Sequence, residues 1–379
     1  MVEKRTGRIK EHFAKVPDPR INRTKKHNLL DIIIMAICAV ICGADSWVEI
    51  AIFGKSKKEW LKTFLELPNG IPSHDTLGRV FARIDPEAFQ ASFKEWVQAI
   101  VELTGGQVIA IDGKQLRRSH DGVLGKNAIY MVSAWATANQ LVLGQVKVDD
   151  KSNEITAIPK LLQLLDISGC IVSMDAMGTQ TDIARTIIRQ GGDYILSVKE
   201  NQGNLYEDIQ DLFTDEVENR FEGTPHSYAK TVSKGHGRME IRQCWLISDP
   251  EYFVGIRDWK RWKDLKVVAM IISQRWLEEK IETKTRYYIT SLDVNAEQFL
   301  QAKRSYWGIE NQLHWILDVA FREDDSRVRK GNAPQNFALI RHTALNMLKQ
   351  EKTAEGGVKA KRLHAALSTD YLLKVLNVD

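Results

Sequence analysis

The chain is sparing in cysteine, has no low-complexity tract and shows no large excess of either sign of charge. Only four cysteines occur in 379 residues. Cys38 and Cys42 share an apolar helical stretch with no histidine or cysteine partners nearby, and Cys170 and Cys244 are isolated. Zinc sites need paired ligand clusters, so buried thiols are the simpler reading. Nothing suggests a disulfide framework, and a reducing, cytoplasmic setting is expected. The apolar run of residues 32–44 is too short to span a bilayer. It also begins too far inside the chain for a signal peptide, so it reads as a buried helix. A net charge of +4 permits a nucleic-acid partner without demanding one.

The clustering of charge says more than its sum. Lys4, Arg5, Arg8, Lys10, Lys15, Arg20, Arg23, Lys25 and Lys26 face only Glu3, Glu11 and Asp18 in the N-terminal segment. A second basic stretch covers residues 349–362. Such flanks suit phosphate neutralisation, although a solvated terminus explains either one alone.

Periodicity divides the chain. Residues 1–104 read as a helical domain: an apolar helix over 29–42, amphipathic helices over 45–53, 57–65 and 77–84, and a helix over 87–103 with Pro86 in its first turn. From Gln107 the pattern changes to short β-branched runs. Strands are expected at 108–111, 129–136, 141–148, 170–174 and 194–198, with helices over 154–165 and 181–190. Three consecutive strands followed by two crossover units is the order of a ribonuclease-H-like mixed sheet flanked by helices. That catalytic α/β domain is expected to cover 105–350. A β-rich insertion over about 216–292 has candidate strands at 240–247, 265–273 and 285–291. It contains Trp245, Trp259, Trp262 and Trp276 among Lys and Arg. Core packing is the ordinary role for most of these indoles; one of them could stack on an extruded base. Helix returns over 296–317 and 335–349, and a helical basic tail covers 351–379.

Asp112 is expected directly after the first strand and Asp175 directly after the fourth. If those strands are neighbours, the two carboxylates project from one edge and repel each other unless a cation sits between them. Hard oxygen ligands select Mg²⁺ or Mn²⁺. Glu310, on a helix after the insertion, is the best third carboxylate. Two such ions can drive an in-line phosphoryl displacement. A lone Asp at a strand end is more often a turn or cap residue, so order and spacing carry the reading.

Longer motifs bear on the choice. Ala110-Ile111-Asp112-Gly113-Lys114, residues 151–159, Asp175-Ala176-Met177-Gly178, residues 199–203, His236-Gly237-Arg238 and residues 306–315 resemble, in order, the H-repeat-associated transposases, an ISAs-type DDE group of bacterial insertion sequences. The resemblance runs over nearly the whole chain, including Ser73-His74-Asp75-Thr76. It implies a ribonuclease-H-like catalytic domain, the triad Asp112, Asp175 and Glu310, and metal-dependent cleavage and strand transfer of DNA. Related transposases with a β-rich insertion place Tyr and Arg before the glutamate and Lys after it. Here Lys303, Tyr306 and Leu317 fill those spacings, so that phosphate clamp does not carry over.

Around these carboxylates, Lys303, Glu310 and His314 are expected on one helix face, and Asp318 is a weaker alternative ligand. His314 either positions a phosphate or a carboxylate, or satisfies a buried partner. Lys114, Lys199 and Asn201 lie at strand ends on the aspartates' edge, and His236, Arg238 and Arg242 lie in the insertion. All are candidate DNA contacts, with helix capping an equally ordinary role for Asn201. The partners expected are double-stranded DNA and, since two ends must be brought together, a second copy of the chain; no membrane is expected. A metal nuclease without strand transfer and a DNA-binding protein with decayed catalysis are the competing readings.

Overall fold

The computed structural model describes residues 9–101, 105–120, 127–149, 152–235, 238–277 and 280–376. Among these residues the helices α1 (Ile9–Phe13), α2 (Leu29–Ile41), α3 (Trp47–Ser56), α4 (Lys58–Leu61), α5 (His74–Phe81) and α6 (Pro86–Ile100) come first. α2 is apolar on every side and buried throughout except at Leu30, the expected fate of such a helix. Its one charge, Asp31, accepts a hydrogen bond from the Leu67 N–H at 2.8 Å. α5 begins three residues earlier than its apolar periodicity suggests, because Ser73 accepts from the Thr76 N–H and starts the helix there.

The sheet follows as β1 (Val108–Gln115), β2 (Tyr130–Ala136), β3 (Leu141–Lys147), α7 (Glu154–Gln163), β4 (Ile171–Met174), α8 (Thr181–Arg189) and β5 (Asp193–Val198). After α9 (Asn204–Glu218) come β6 (Ser227–Gly235), β7 (Arg238–Ile247), β8 (Val267–Leu277) and β9 (Lys280–Thr290). All of them form one mixed sheet in the order β3-β2-β1-β4-β5-β9-β8-β7-β6. β1, β2 and β3 are antiparallel, and β1, β4 and β5 are parallel. This makes β1 and β4 neighbours, as the sequence predicts.

Two expectations need correction. β1 does not stop before Asp112. It runs on to Gln115, because Asp112 and the residues after it pair with β2 from Ser133 to Tyr130. The insertion holds four strands where the sequence predicts three, and β6 is the additional one. Its sequence, Ser-Tyr-Ala-Lys-Thr-Val-Ser-Lys-Gly, alternates half-buried with exposed positions and has too little apolar content to signal a strand. β9 pairs antiparallel with β5, so the insertion extends the sheet.

After β9 the chain forms α10 (Ala296–Tyr306), a π-helical turn (Ile309–His314), α11 (Trp315–Phe321), α12 (Ala333–Gln350), α13 (Val358–Leu367) and α14 (Thr369–Leu376). α12 joins the N-terminal helices to the sheet. Its Asn336 donates to the carbonyls of Phe81 at 2.8 Å and Ile84 at 3.0 Å. Asn346 pairs with both the N–H and the carbonyl of Val142, at 2.8 and 2.9 Å. β3 is an edge strand, and these bonds satisfy backbone groups that no further strand covers. The basic stretch near the C-terminus is only partly a solvated face. Arg362 is buried, donates to the Val40 carbonyl at the end of α2 and pairs with Asp45 at 3.1 Å. Among the described residues no helix is long and apolar enough to cross a membrane.

Candidate active site

Neighbouring parallel strands deliver the two aspartates. Asp112 lies within β1 opposite Ser133. Asp175 directly follows β4, and its Oδ1 accepts from the Met177 N–H at 3.0 Å, which caps a short 3₁₀ turn. The Ala176 carbonyl in that turn accepts from Asn201 Nδ2 at 3.0 Å and Gln202 Nε2 at 2.6 Å. Asn201, a candidate DNA contact, therefore braces the turn behind Asp175. Lys199, at the end of β5, is exposed.

The π-helical turn brings in Glu310 and His314. Such turns inside helices concentrate at functional sites. His314 Nδ1 stands 3.3 Å from Asp112 Oδ2 and 4.0 Å from Glu310 Oε2. Donor atoms of Asp112, Glu310 and His314 all lie within 4.8 Å of one another. Asp175 lies outside that triple, on the adjacent strand. Burial raises the Glu310 pKa, and the Asp112 charge adds to the effect. Among the described residues, no Lys or Arg comes within 4.0 Å of the Asp112, Asp175 or Glu310 carboxylates. His314 Nε2 is buried without a hydrogen-bond partner.

A fourth carboxylate was missed by sequence reasoning. Glu154, at the start of α7, hydrogen-bonds the Tyr130 hydroxyl. Burial raises its pKa, and the charges of Asp175 and Asp112 push the same way. An acid in a first helical turn reads as favourable to the helix dipole, and only its place inside the 151–159 motif could have drawn attention to it. Gly113 makes the arrangement possible. A Cβ there would collide with the Tyr130 ring and the Glu154 carboxylate. The Tyr306 phenol is buried among Asp112, Asp175, Glu310 and Glu154, and burial followed by those charges raises its pKa well above the ordinary value.

The remaining candidates separate. Lys303 is buried, and its Nζ donates to Ser173 Oγ and Ser197 Oγ at 3.3 Å each. It also lies over the Tyr306 ring at 4.1 Å and the Tyr288 ring at 4.8 Å. Burial lowers its pKa to about 7, against the opposing pull of Asp175. It does not share a solvent face with Glu310. Lys114 is paired with Asp318 and, at 3.0 Å, with Glu323, although its charge still draws the Glu310 pKa down. His236 lies outside the described residues, and for Arg238 only the backbone, at the start of β7, is described. Trp245 stacks on Phe221, Trp259 packs edge-on against Phe253 and Trp262 is buried, whereas Trp276 is 41% exposed.

Carboxylates from two adjacent strands and a helix, without lysine or arginine partners among the described residues, define a candidate hard-cation centre. Comparison with known proteins gives the class a family. Residues 103–347 match the transposase DDE domain, and residues 10–97 match the region associated with it. The chain belongs to the DDE transposase family. It is 44% identical to the "Putative transposase YncI" of Escherichia coli O157:H7, over 97% of this chain and 93% of that one. It is 42% identical to the "H repeat-associated putative transposase YhhI" of Escherichia coli K12, over 97% of each. Among solved structures, a piggyBac transposase synaptic complex with hairpin DNA aligns at a TM-score of 0.41 and 11% identity, covering 100% of this chain and 78% of that chain. That likeness is too distant to carry mechanism across.

Proposed function

We propose that this transposase cuts DNA at the ends of a mobile element and joins the freed ends to a target, with Asp112, Asp175 and Glu310 holding two divalent cations, Mg²⁺ or Mn²⁺. The observation that carries this reading is the clustering of Asp112 with Glu310, beside Asp175 at the end of the neighbouring strand, with no lysine or arginine paired to them among the described residues. The donors fit such ions, since two are carboxylate oxygens that repel each other as they stand. The order β3-β2-β1-β4-β5, antiparallel then parallel, supports a ribonuclease-H-like core within residues 105–350. Bound at these residues, divalent ions supply an activated attacking oxygen and neutralise charge on the leaving oxygen.

The chain's own residues do the positioning. His314 steadies the Asp112 carboxylate, while Asn201 and Gln202 fix the turn that presents Asp175. Tyr306 is buried beside the carboxylates, and the buried Lys303 ties β4 to β5 through Ser173 and Ser197 next to Asp175. Residues 1–104 serve as the module that grips the element ends, and a second copy of the chain pairs the two ends during the reaction. The work takes place on double-stranded DNA in the bacterial cytoplasm.

The test is to incubate the purified chain with Mg²⁺ or Mn²⁺ and DNA carrying the native element ends. Cut and joined products are expected. Asp112→Asn, Asp175→Asn and Glu310→Gln should each lower cleavage by on the order of a hundredfold or more. End-specific binding with no cleavage by wild type would sink the enzymatic reading, and nicking without joining would reduce it to a nuclease.

A further inference from the structure

The insertion and α10 enclose a cleft of about 420 Å³ outside the carboxylate cluster. Alternate residues of β7, β8 and β9 face α10. Where the strands pack on the helix, this face is apolar, with Cys244, Ile271 and Tyr288 against Phe299 and Leu300. Further along the same face the side chains become charged. Register aligns Arg242, Ser273 and Lys284 in one cross-strand row, and Glu240, Arg275 and Glu282 in the next. Arg286 lies opposite Ile271, and Arg304 and Lys303 close the helix side.

Charge in the cleft is not balanced internally. Glu240 pairs with Arg242 at 2.7 Å, and Glu282 pairs with Lys280, which is outside the cleft. Among the described residues Arg275, Lys284, Arg286 and Arg304 have no carboxylate within 4.0 Å. Arg242 Nη1 and Arg275 Nε are buried without an acceptor, a cost that an anion would remove. The arginines are also close enough to oppose one another. Burial lowers the Arg242 pKa, and Arg304 and Arg275 add to that against the pull of Glu240.

We propose that this cleft binds the phosphodiester backbone of a DNA strand on its way to the carboxylates, in the place of the phosphate clamp that the residues around Glu310 do not supply. The proposal rests on the strand-cutting reading above. The Arg242–Lys284 row crosses three strands, about 10 Å. That is wider than one phosphate group can bridge, which favours a polymer over a free anion. Lys303 is the shared wall: it lines the cleft, and its Nζ donates to Ser173 Oγ on β4, two residues before Asp175, at 3.3 Å. A strand held along the row is thus led to the scissile position.

The test measures binding of the full-length chain to a 40-base-pair duplex and to a 20-nucleotide single strand, from about 50 to 200 mM salt. Lys284 and Arg304 are exposed, so Lys284→Ala with Arg304→Ala should fold normally. The slope of log affinity against log salt should flatten by about 1.8 on the duplex and about 1.4 on the single strand. Glu282→Gln, which removes an acid from the row, should tighten binding several-fold. Lys160→Ala, at a lysine paired with Asp149 outside the cleft, should leave the slope unchanged. An unchanged slope in the double variant, with DNA cleavage intact in wild type, overturns the cleft and leaves the strand-cutting reading standing. A flattened slope with no cleavage by wild type supports the cleft and sinks that reading. Saturable binding of inorganic phosphate alone, with DNA affinity indifferent to the substitutions, reduces the cleft to a free-anion site and overturns the proposal.

Discussion

Glu310 and Glu323 stand on either side of α11, and the protein treats their charges in opposite ways. Glu323 is fully buried, a position that by itself would raise its pKa. Lys114 at 3.0 Å and Arg341 at 3.7 Å outweigh the burial and hold the carboxylate below its ordinary value. Glu310 is half exposed, yet its pKa is raised by burial and by Asp112, against the weaker pull of His314 and the more distant Lys114. A cluster that exists to hold the fold carries its own cations. The cluster proposed to receive a cation carries no lysine or arginine of its own among the described residues, and its like charges are left opposed. Lys114 marks the divide. It lies two residues beyond Asp112 on β1, and its ammonium is committed to Asp318 and Glu323.

The largest effect expected from this contrast is on stability. Lys114→Met leaves Glu323 buried with Arg341 at 3.7 Å as its remaining ion-pair partner, and weakening such a buried pair from one side costs up to about 3–5 kcal/mol. Urea unfolding in cation-free buffer measures it. The double change Lys114→Met with Glu323→Gln should recover only part of the loss, because the buried carboxylate goes but Arg341, which also pairs with it, stays buried. A single variant as stable as wild type would show that the second cluster is not balanced by Lys114. A smaller effect is expected at Glu154, which sits among the aspartates but outside the Asp112–Glu310–His314 triple. Glu154→Gln should slow DNA cleavage by about tenfold, about 1.4 kcal/mol, with the fold unchanged. Tyr130→Phe, which frees that carboxylate from its hydrogen bond, should have a milder effect of the same kind. If Glu154→Gln cuts at the wild-type rate, the fourth carboxylate only packs against Gly113 and Tyr130.

The difference between the clusters explains what was legible in the sequence. Asp112 and Asp175 could be read because a β-branched run announces a buried strand, and strand order makes the two strands neighbours. Glu310 emerged from the motif around it, and its place beside Asp112 is consistent with that choice. Lys114 looked like a phosphate contact because its carboxylate partners lie some two hundred residues away, a separation local pattern cannot bridge. Lys303 and Glu154 were misread or missed for a related reason. Whether a charged residue is buried depends on the element packed against it, and here those elements come from distant parts of the chain. β6 escaped because an exposed strand in an extended sheet has no apolar face to betray it.

The smallest effect is in the pH dependence, where the two glutamates should pull in opposite directions. Glu323 has a folded pKa below the ordinary 4.5. Its contribution to stability is therefore present above 4.5 and is lost as pH falls through the folded value. Glu310 has a folded pKa above 4.5. Between 4.5 and that value the folded chain binds more protons than the unfolded one, so stability declines as pH rises through this window. Without divalent cations, wild type should lose a little thermal stability between acidic and neutral pH, and Glu310→Gln should lose less. At pH 7 that variant should melt slightly above wild type in cation-free buffer, yet gain less than wild type from added Mg²⁺ or Mn²⁺. A variant that melts below wild type without cations would mean that the protein already satisfies Glu310, and the two clusters would then be alike in kind.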